Sequence, residues 1–292
     1  MVFLTVFTPA YNRASTLPRT YESLCDQECK EFIWLIVDDG STDETASLVK
    51  EWQKKENGFE IQYIYKKNGG MHTAHNVAYE NIHTELNVCI DSDDYMTDDA
   101  LENIISFWNK NKKDDIAGII GLDIYENGDV IGDEFPDELK ESTYWDIYHK
   151  YKLKGDKKLV YRSDLTKKYT YPLFEGEKYV GLGYKYAKLD EDYKLLVMNK
   201  KLCVVEYMPD GSTKNIMKQY RNNPKGFAFI RKEDMKNPKG NITFKLKSCI
   251  HYVSSSFISR NKSFIKESPC KFLTVISIVP GFILYKYIIK NT

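Results

Sequence analysis

Among the six cysteines of this 292-residue chain (Cys25, Cys29, Cys89, Cys203, Cys249 and Cys270) there is no CxxC pair and no His/Cys spacing suited to zinc. A structural metal cluster is therefore not expected, and the thiols read as small buried or half-buried groups in a reducing compartment. The opening run MVFLTVFT lacks the basic flank and the small-residue cleavage site of a signal peptide, so secretion is not expected. No internal repeat or low-complexity linker is present. Nor is there an uninterrupted apolar run of the roughly 20 residues that a membrane-spanning helix needs. The strongest stretch, FLTVISIVPGFILY at 272–285, is broken by Pro280-Gly281.

Net charge is also lacking, with 42 Lys/Arg against 42 Asp/Glu, but the balance is uneven along the chain. Residues 211–292 carry 16 basic side chains against 3 acids, leaving an acidic body joined to a basic tail. Lys262, Lys266, Lys271, Lys286 and Lys290 flank the apolar stretch. An interfacial or shallow re-entrant hairpin over 243–292, its lysines facing anionic headgroups, is therefore expected, against the alternative of a helix pair docked on the protein.

What the chain does have is alternation. Four short β-rich runs (Phe3–Thr8, Phe32–Val37, Ile61–Tyr65, Leu86–Ile90) are separated by segments of helical period at Leu17–Cys25, Thr45–Trp52 and Thr73–Tyr79. Thr16, Asp43 and Thr97-Asp98-Asp99 mark helix starts. The pattern predicts an α/β fold with a mainly parallel central sheet flanked by helices. Further strands are expected at Ile116–Leu122 and Lys158–Arg162, with a helix capped by Ser163 after the latter, and a hairpin of Tyr193–Met198 and Leu202–Tyr207 across Asn199-Lys200. The division expected is a catalytic domain over 1–210, split at 110 into donor and acceptor halves, and a basic helical region over 211–292.

Each early strand runs into a polar cluster: TPAYNR, DDGSTD, KKNGG and DSDD. In open α/β sheets the carboxyl edge of the strands is where ligands bind. Alone, Asp91-Ser92-Asp93-Asp94 reads equally as a solvated loop, an acidic helix start or a hard-metal site. Asp38-Asp39 could accept from the imide N–H of a base, and Asn68-Gly69-Gly70 lets a ribose or phosphate approach backbone amides.

Taken in order, FTPAYNR, IVDDGSTDET, NGGMHTAHNVAY and CIDSDDYM resemble the nucleotide-sugar-binding half of the family-two inverting glycosyltransferases with a GT-A fold. The resemblance covers roughly residues 3 to 110. It implies a nucleoside diphosphate sugar, read as UDP-linked, and Mg²⁺ or Mn²⁺. By position, Thr8, Pro9, Tyr11 and Arg13 would line the nucleotide and Asp38 or Asp39 would read the base. Asn68, Gly70, His72 and His75 would lie near ribose and phosphates; Asp91 and Ser92 would contact the donor; Asp93 would ligate the metal, with Asp94 behind it. Met71 stands where many relatives carry a basic residue.

For the acceptor side, PLFEGEKYV at 172–180 resembles a variant of the family's acidic motif found in bacterial capsule and O-antigen transferases. It implies Glu177 as the base, with Glu175 the rival; a plain acidic helix start is the structural alternative. Ser212 and Thr213 resemble the segment that folds over the diphosphate, though they would equally serve as helix caps. The QxxRW motif of processive synthases is absent, which favours single addition. The expectation is a peripheral enzyme of the cytoplasmic face of the membrane, passing one sugar to a lipid-linked saccharide in capsule, O-antigen or exopolysaccharide synthesis, with no nucleic-acid partner. A sugar-nucleotide-binding scaffold or a nucleotidyltransferase are the rival readings.

Overall fold

A computed structural model describes residues 2–207 and 215–292. Strands β1 (Leu4–Ala10), β2 (Phe32–Asp38), β3 (Glu60–Tyr65) and β4 (Leu86–Cys89) alternate with α1 (Leu17–Cys25), α2 (Thr45–Trp52) and α3 (Met71–Asn81). Then come β5 (Tyr95–Met96), α4 (Ala100–Asn111), β6 (Ile116–Ile124), β7 (Glu141–Ser142), α5 (Tyr144–His149), β8 (Lys157–Arg162), α6 (Ser163–Thr166), α7 (Gly183–Leu189) and β9 (Lys194–Val204). The C-terminal part is helical: α8 (Ile216–Asn222), α9 (Pro224–Lys236), α10 (Ile242–Ile258), α11 (Phe264–Glu267), α12 (Lys271–Ile276) and α13 (Ile278–Lys290).

The sheet runs β3-β2-β1-β4-β8-β6-β9-β5, with β7 on β9. Its first four strands are parallel, as a βαβ pattern requires. All seven residues of β1 are buried, which is why that run is apolar without alternation. Beyond β4 the sheet is mixed, since β8 lies antiparallel between β4 and β6. Tyr21, Trp34 and Trp52 stack beneath the parallel half, Tyr21 and Trp52 with centroids 4.4 Å apart.

Three expectations are corrected. The hairpin across Asn199-Lys200 is instead one strand, β9, running parallel to β6 with register shifts that absorb 198–200 as a bulge. Neither residue takes the positive φ of a two-residue hairpin turn. Asn199 is held sideways, accepting from the Phe135 amide (3.0 Å) and donating to its carbonyl (2.7 Å).

Pro280-Gly281 does not break the C-terminal helix into a re-entrant hairpin. Pro280 stands in the first turn of α13, where its missing N–H is little loss, and the seam falls at Ser277. Last, the division of the chain differs. Residues up to Thr170, with Lys185–Tyr207, form one compact unit, whereas Tyr171–Tyr184 joins the C-terminal residues in a second. Among the described residues no helix is long and apolar enough to cross a membrane.

Candidate active site at the strand ends

The loop after β1 is tied to the loop after β2. Asn12 takes a left-handed φ of 52°, which asparagine tolerates better than most residues. Its amide donates to Ser41 Oγ (2.9 Å) and its Oδ1 accepts from the Thr42 amide (2.8 Å). Arg13 and Ala14 amides donate to Thr45 Oγ1 and Asp43 Oδ2, each at 3.0 Å. This pinning leaves the Tyr11 ring 48 % exposed and Arg13 half-buried beside it. Thr8 points the other way: it is fully buried and accepts from Trp34 Nε1 at 3.0 Å, and Pro9 is buried with it. The Thr8 side chain therefore supports the floor of the site and does not line it.

Asp38 and Asp39 are also buried, and both are engaged within the protein. Asp38 accepts from the Ser41 amide (2.7 Å) and the Tyr63 hydroxyl (2.6 Å), and burial together with that carboxylate pushes the phenol pKa up. Asp39 accepts from the Gly69 and Gly70 amides at 2.9 and 2.7 Å and pairs with Lys66. Asn68 donates to the Asp39 carbonyl at 2.8 Å. Gly40 sits between at φ 84°, and a Cβ there would lie 2.7 Å from the Asn68 amide nitrogen. The β2 carboxylates thus build the Asn68–Gly70 turn, a structural task that the expectation of base reading had not included.

On α3 the two histidines face inward. His75 is fully buried, its ring edge-on to Phe7 at 5.0 Å, Nδ1 3.3 Å from the Tyr79 hydroxyl and Nε2 3.7 Å from Cys89 Sγ. Burial, with Lys185 adding to it, pushes His75 down to about 3. His72 is 2 % exposed and burial pushes it down to about 4. Both rings are neutral at pH 7. His75 packs in the core, away from the expected phosphate contact, and Met71, 44 % exposed, is the residue of this turn that faces solvent.

The Asp91–Asp94 turn is held from beneath. The Asp94 amide donates to the Asp91 carbonyl (3.0 Å), Arg19 donates to the Asp93 carbonyl (2.7 Å) and Thr20 to the Asp94 carbonyl (2.7 Å). Asp91 and Asp93 stay half-buried, while Ser92 and Asp94 are buried. Asp94 accepts from the Glu206 amide at 3.1 Å and lies 4.0 Å from the ammonium of Lys158, which is 3.6 Å from the buried Asp123. Burial pushes Asp94 up to about 8 against the pull of Lys158. Arg19, Thr20, Lys158 and Asp123 were not anticipated. Lys158 opens the expected strand beside Lys157, and nothing in that local pattern marks it as buried.

Among the described residues no group of three or more His, Cys, Asp or Glu is placed to hold a metal ion. Asp91 and Asp93 fit a cation that takes one or two protein carboxylates and completes its shell with phosphate oxygens and water, as Mg²⁺ does.

In the second unit, Glu177 sits at the start of α9. Its two carboxylate oxygens accept from the Lys225 and Gly226 amides at 2.9 and 2.8 Å, an anion satisfying the first turn of a helix. Asn223 accepts from the Lys178 amide at 2.7 Å. Glu175, two residues earlier across Gly176 (φ 78°), is exposed. Ser212 and Thr213 lie outside the described residues.

Comparison with known proteins agrees with this geometry. An uncharacterised glycosyltransferase of Rickettsia felis is 34% identical over 108 residues, 37% of this chain and 17% of that one. The glycosyltransferase GlyA of Streptococcus pneumoniae is 31% identical over 101 residues, 35% and 14% of the two chains. The chain thus spans under a fifth of the length of these two relatives. The crystal structure of Staphylococcus aureus TarS 1–349 in complex with UDP-GlcNAc superposes with a TM-score of 0.61 at 20% identity, covering 94% of this chain and 79% of that one, a likeness of fold. The family model described as glycosyl transferase family 2 matches residues 5–164, more than half of the 292. With polar clusters after four parallel strands and that match over them, the chain belongs to glycosyl transferase family 2.

Proposed function

We propose that the protein is an inverting glycosyltransferase that moves one sugar from a UDP-linked donor to a lipid-linked saccharide in the synthesis of a cell-surface polysaccharide. The observation that carries this reading is the convergence of Tyr11 and Arg13, the Asn68–Gly70 turn, and Asp91 with Asp93 on the carboxyl edge of one parallel sheet. A relative, S. aureus TarS, is named a poly(ribitol-phosphate) β-N-acetylglucosaminyltransferase, which supports both the donor and the polymer class.

Tyr11 offers a ring for stacking on the base and Arg13 a cation for phosphate. The amides of Gly69 and Gly70 already hold Asp39, so their contribution is to fix the turn beneath the ribose. Asp93, with Asp91 beside it, would hold Mg²⁺ or Mn²⁺, which when bound neutralises the charge gathering on the departing diphosphate. Inversion needs a carboxylate to take the proton of the acceptor hydroxyl during in-line attack. By resemblance the loop 175–177 would supply it. Glu177 is the expected base by resemblance, but both its oxygens are occupied by α9 amides; Glu175 is exposed.

Three variants separate these roles in a transfer assay with a panel of nucleotide sugars and Mn²⁺. Asp93→Ala should weaken metal-dependent donor binding. The base variant, Glu175→Gln or Glu177→Gln, should keep donor binding and lose roughly 10²- to 10⁴-fold in kcat. A capping role alone for Glu177 predicts that Glu177→Gln costs about 1 kcal/mol of stability with kcat little changed. Release of pyrophosphate in place of nucleoside diphosphate, or no turnover with any donor, would refute the transferase reading.

A further inference from the structure

The last two helices are built the wrong way round for water. Backbone bonds run through their junction, Ser277 N–H to the Leu273 carbonyl and Gly281 N–H to the Ser277 carbonyl, so α12 and α13 form one nearly continuous run. The buried residues on it are Thr274, Ser277, Gly281 and Ile288, one face at steps of three, four and seven. Three of these four are small or polar. A Cβ at Gly281 would come within 2.5 Å of Val253 on α10, so the small face is what lets the two helices approach closely.

The opposite face carries Phe272, Val275, Ile276, Val279, Phe282 and Ile283, of which Phe272 is 77 % exposed, Val279 68 % and Ile283 63 %. A helix docked on protein and facing water shows the reverse arrangement.

The charge around this face is of one sign. Lys262, Lys266, Lys271, Lys286 and Lys290 flank it. The three acids of 211–292 are all engaged: Glu233 with Lys236 (2.6 Å), Asp234 with Arg231 (2.9 Å) and Glu267 with Lys232 (3.6 Å). The Lys286 ammonium lies over the Phe282 and Tyr285 rings, 5.4 and 5.5 Å from their centroids.

We propose that this face lies flat in the headgroup and acyl boundary of an anionic bilayer, Phe272, Val279, Phe282 and Ile283 entering the acyl region and the lysines meeting the headgroup phosphates. A second copy of the chain is a poorer occupant, because a two-fold contact through this face would set the same lysines against one another. The proposal goes beyond the transferase reading and is independent of it, since a chain without transferase activity would bind the same surface.

The test uses the full chain, sedimented with phosphatidylcholine vesicles with and without about 30% phosphatidylglycerol. Binding should be at least about tenfold tighter to the anionic vesicles and weaken with added salt. Val279→Asp with Ile283→Asp should lower partitioning at least about tenfold, with the melting temperature unchanged because these side chains are 68 % and 63 % exposed. Equal binding by the double variant, or no binding by the native chain, would overturn the proposal. So would a native dimer, seen by sedimentation velocity, that the double variant dissolves.

Discussion

Lys158 shows what one side chain does for the donor edge. Its ammonium is enclosed with Asp94 and Asp123, and removing it would leave the buried Asp123 carboxylate without its counter-charge and Asp94 without the cation that opposes its burial. Lys158→Met is expected to cost about 3 kcal/mol or more, and Asp123→Leu in the same chain to restore part of the loss, because deleting one partner of a buried ion group is worse than deleting the pair. Chemical denaturation of the single and double variants measures both; a single variant within about 0.5 kcal/mol of native would show that the charges do not depend on each other. At this scale the sequence was half legible. The motifs lie at the strand ends, where Tyr11 is exposed and Arg13, Asp91 and Asp93 are half-buried. Motifs do not say which way a side chain turns, however, and Thr8, alternating with Phe7 and Pro9 along a fully buried strand, had to point to one side or the other.

α3 is the clearest case among the elements. Its buried polar and aromatic positions, His72, His75 and Tyr79, follow steps of three and four, so the helical period itself marked the histidines as an inward face. The consequence is a dependence on acid. His75 has its ordinary imidazole value near 6.5 in the unfolded chain and about 3 in the folded one. The stability it contributes is complete above pH 6.5 and is lost as pH falls toward the folded value, because the unfolded chain takes up a proton that the folded helix refuses. The loss is at most about 1.4 kcal/mol per pH unit. Denaturation midpoints of native and His75→Gln protein at pH 7 and pH 5 should converge at the lower pH, and a constant gap would show that the ring titrates freely. β9 shows the opposite limit. Its bulge depends on Asn199 meeting the Phe135 backbone, a contact 64 residues away in sequence that no local pattern records.

At the level of the whole molecule, the parallel half was readable because β1, β2 and β3 are each followed by their own helix, so the alternation is written locally even though β4 pairs with β1 and not with β3. The division into two units was not, because it depends on which partners a short segment finds. Tyr171–Tyr184 takes partners from α9: Tyr179 stacks on Phe227 at 4.9 Å, Tyr184 meets Phe229 edge-on, and Glu177 caps the helix. A chain ending at Tyr207 is therefore expected to expose Tyr171 and Val180, both nearly fully buried in the intact protein, and to bind a hydrophobic dye or aggregate. A soluble product with a cooperative melt and no dye binding would contradict this.

The same crossing of the chain sets a schedule for biosynthesis. Tyr171–Tyr184 is synthesised about 40 residues ahead of α9, and at roughly 5–20 residues per second that is a delay of about 2 to 8 seconds. For that interval the nascent protein carries an aromatic strip whose docking surface has not yet been translated.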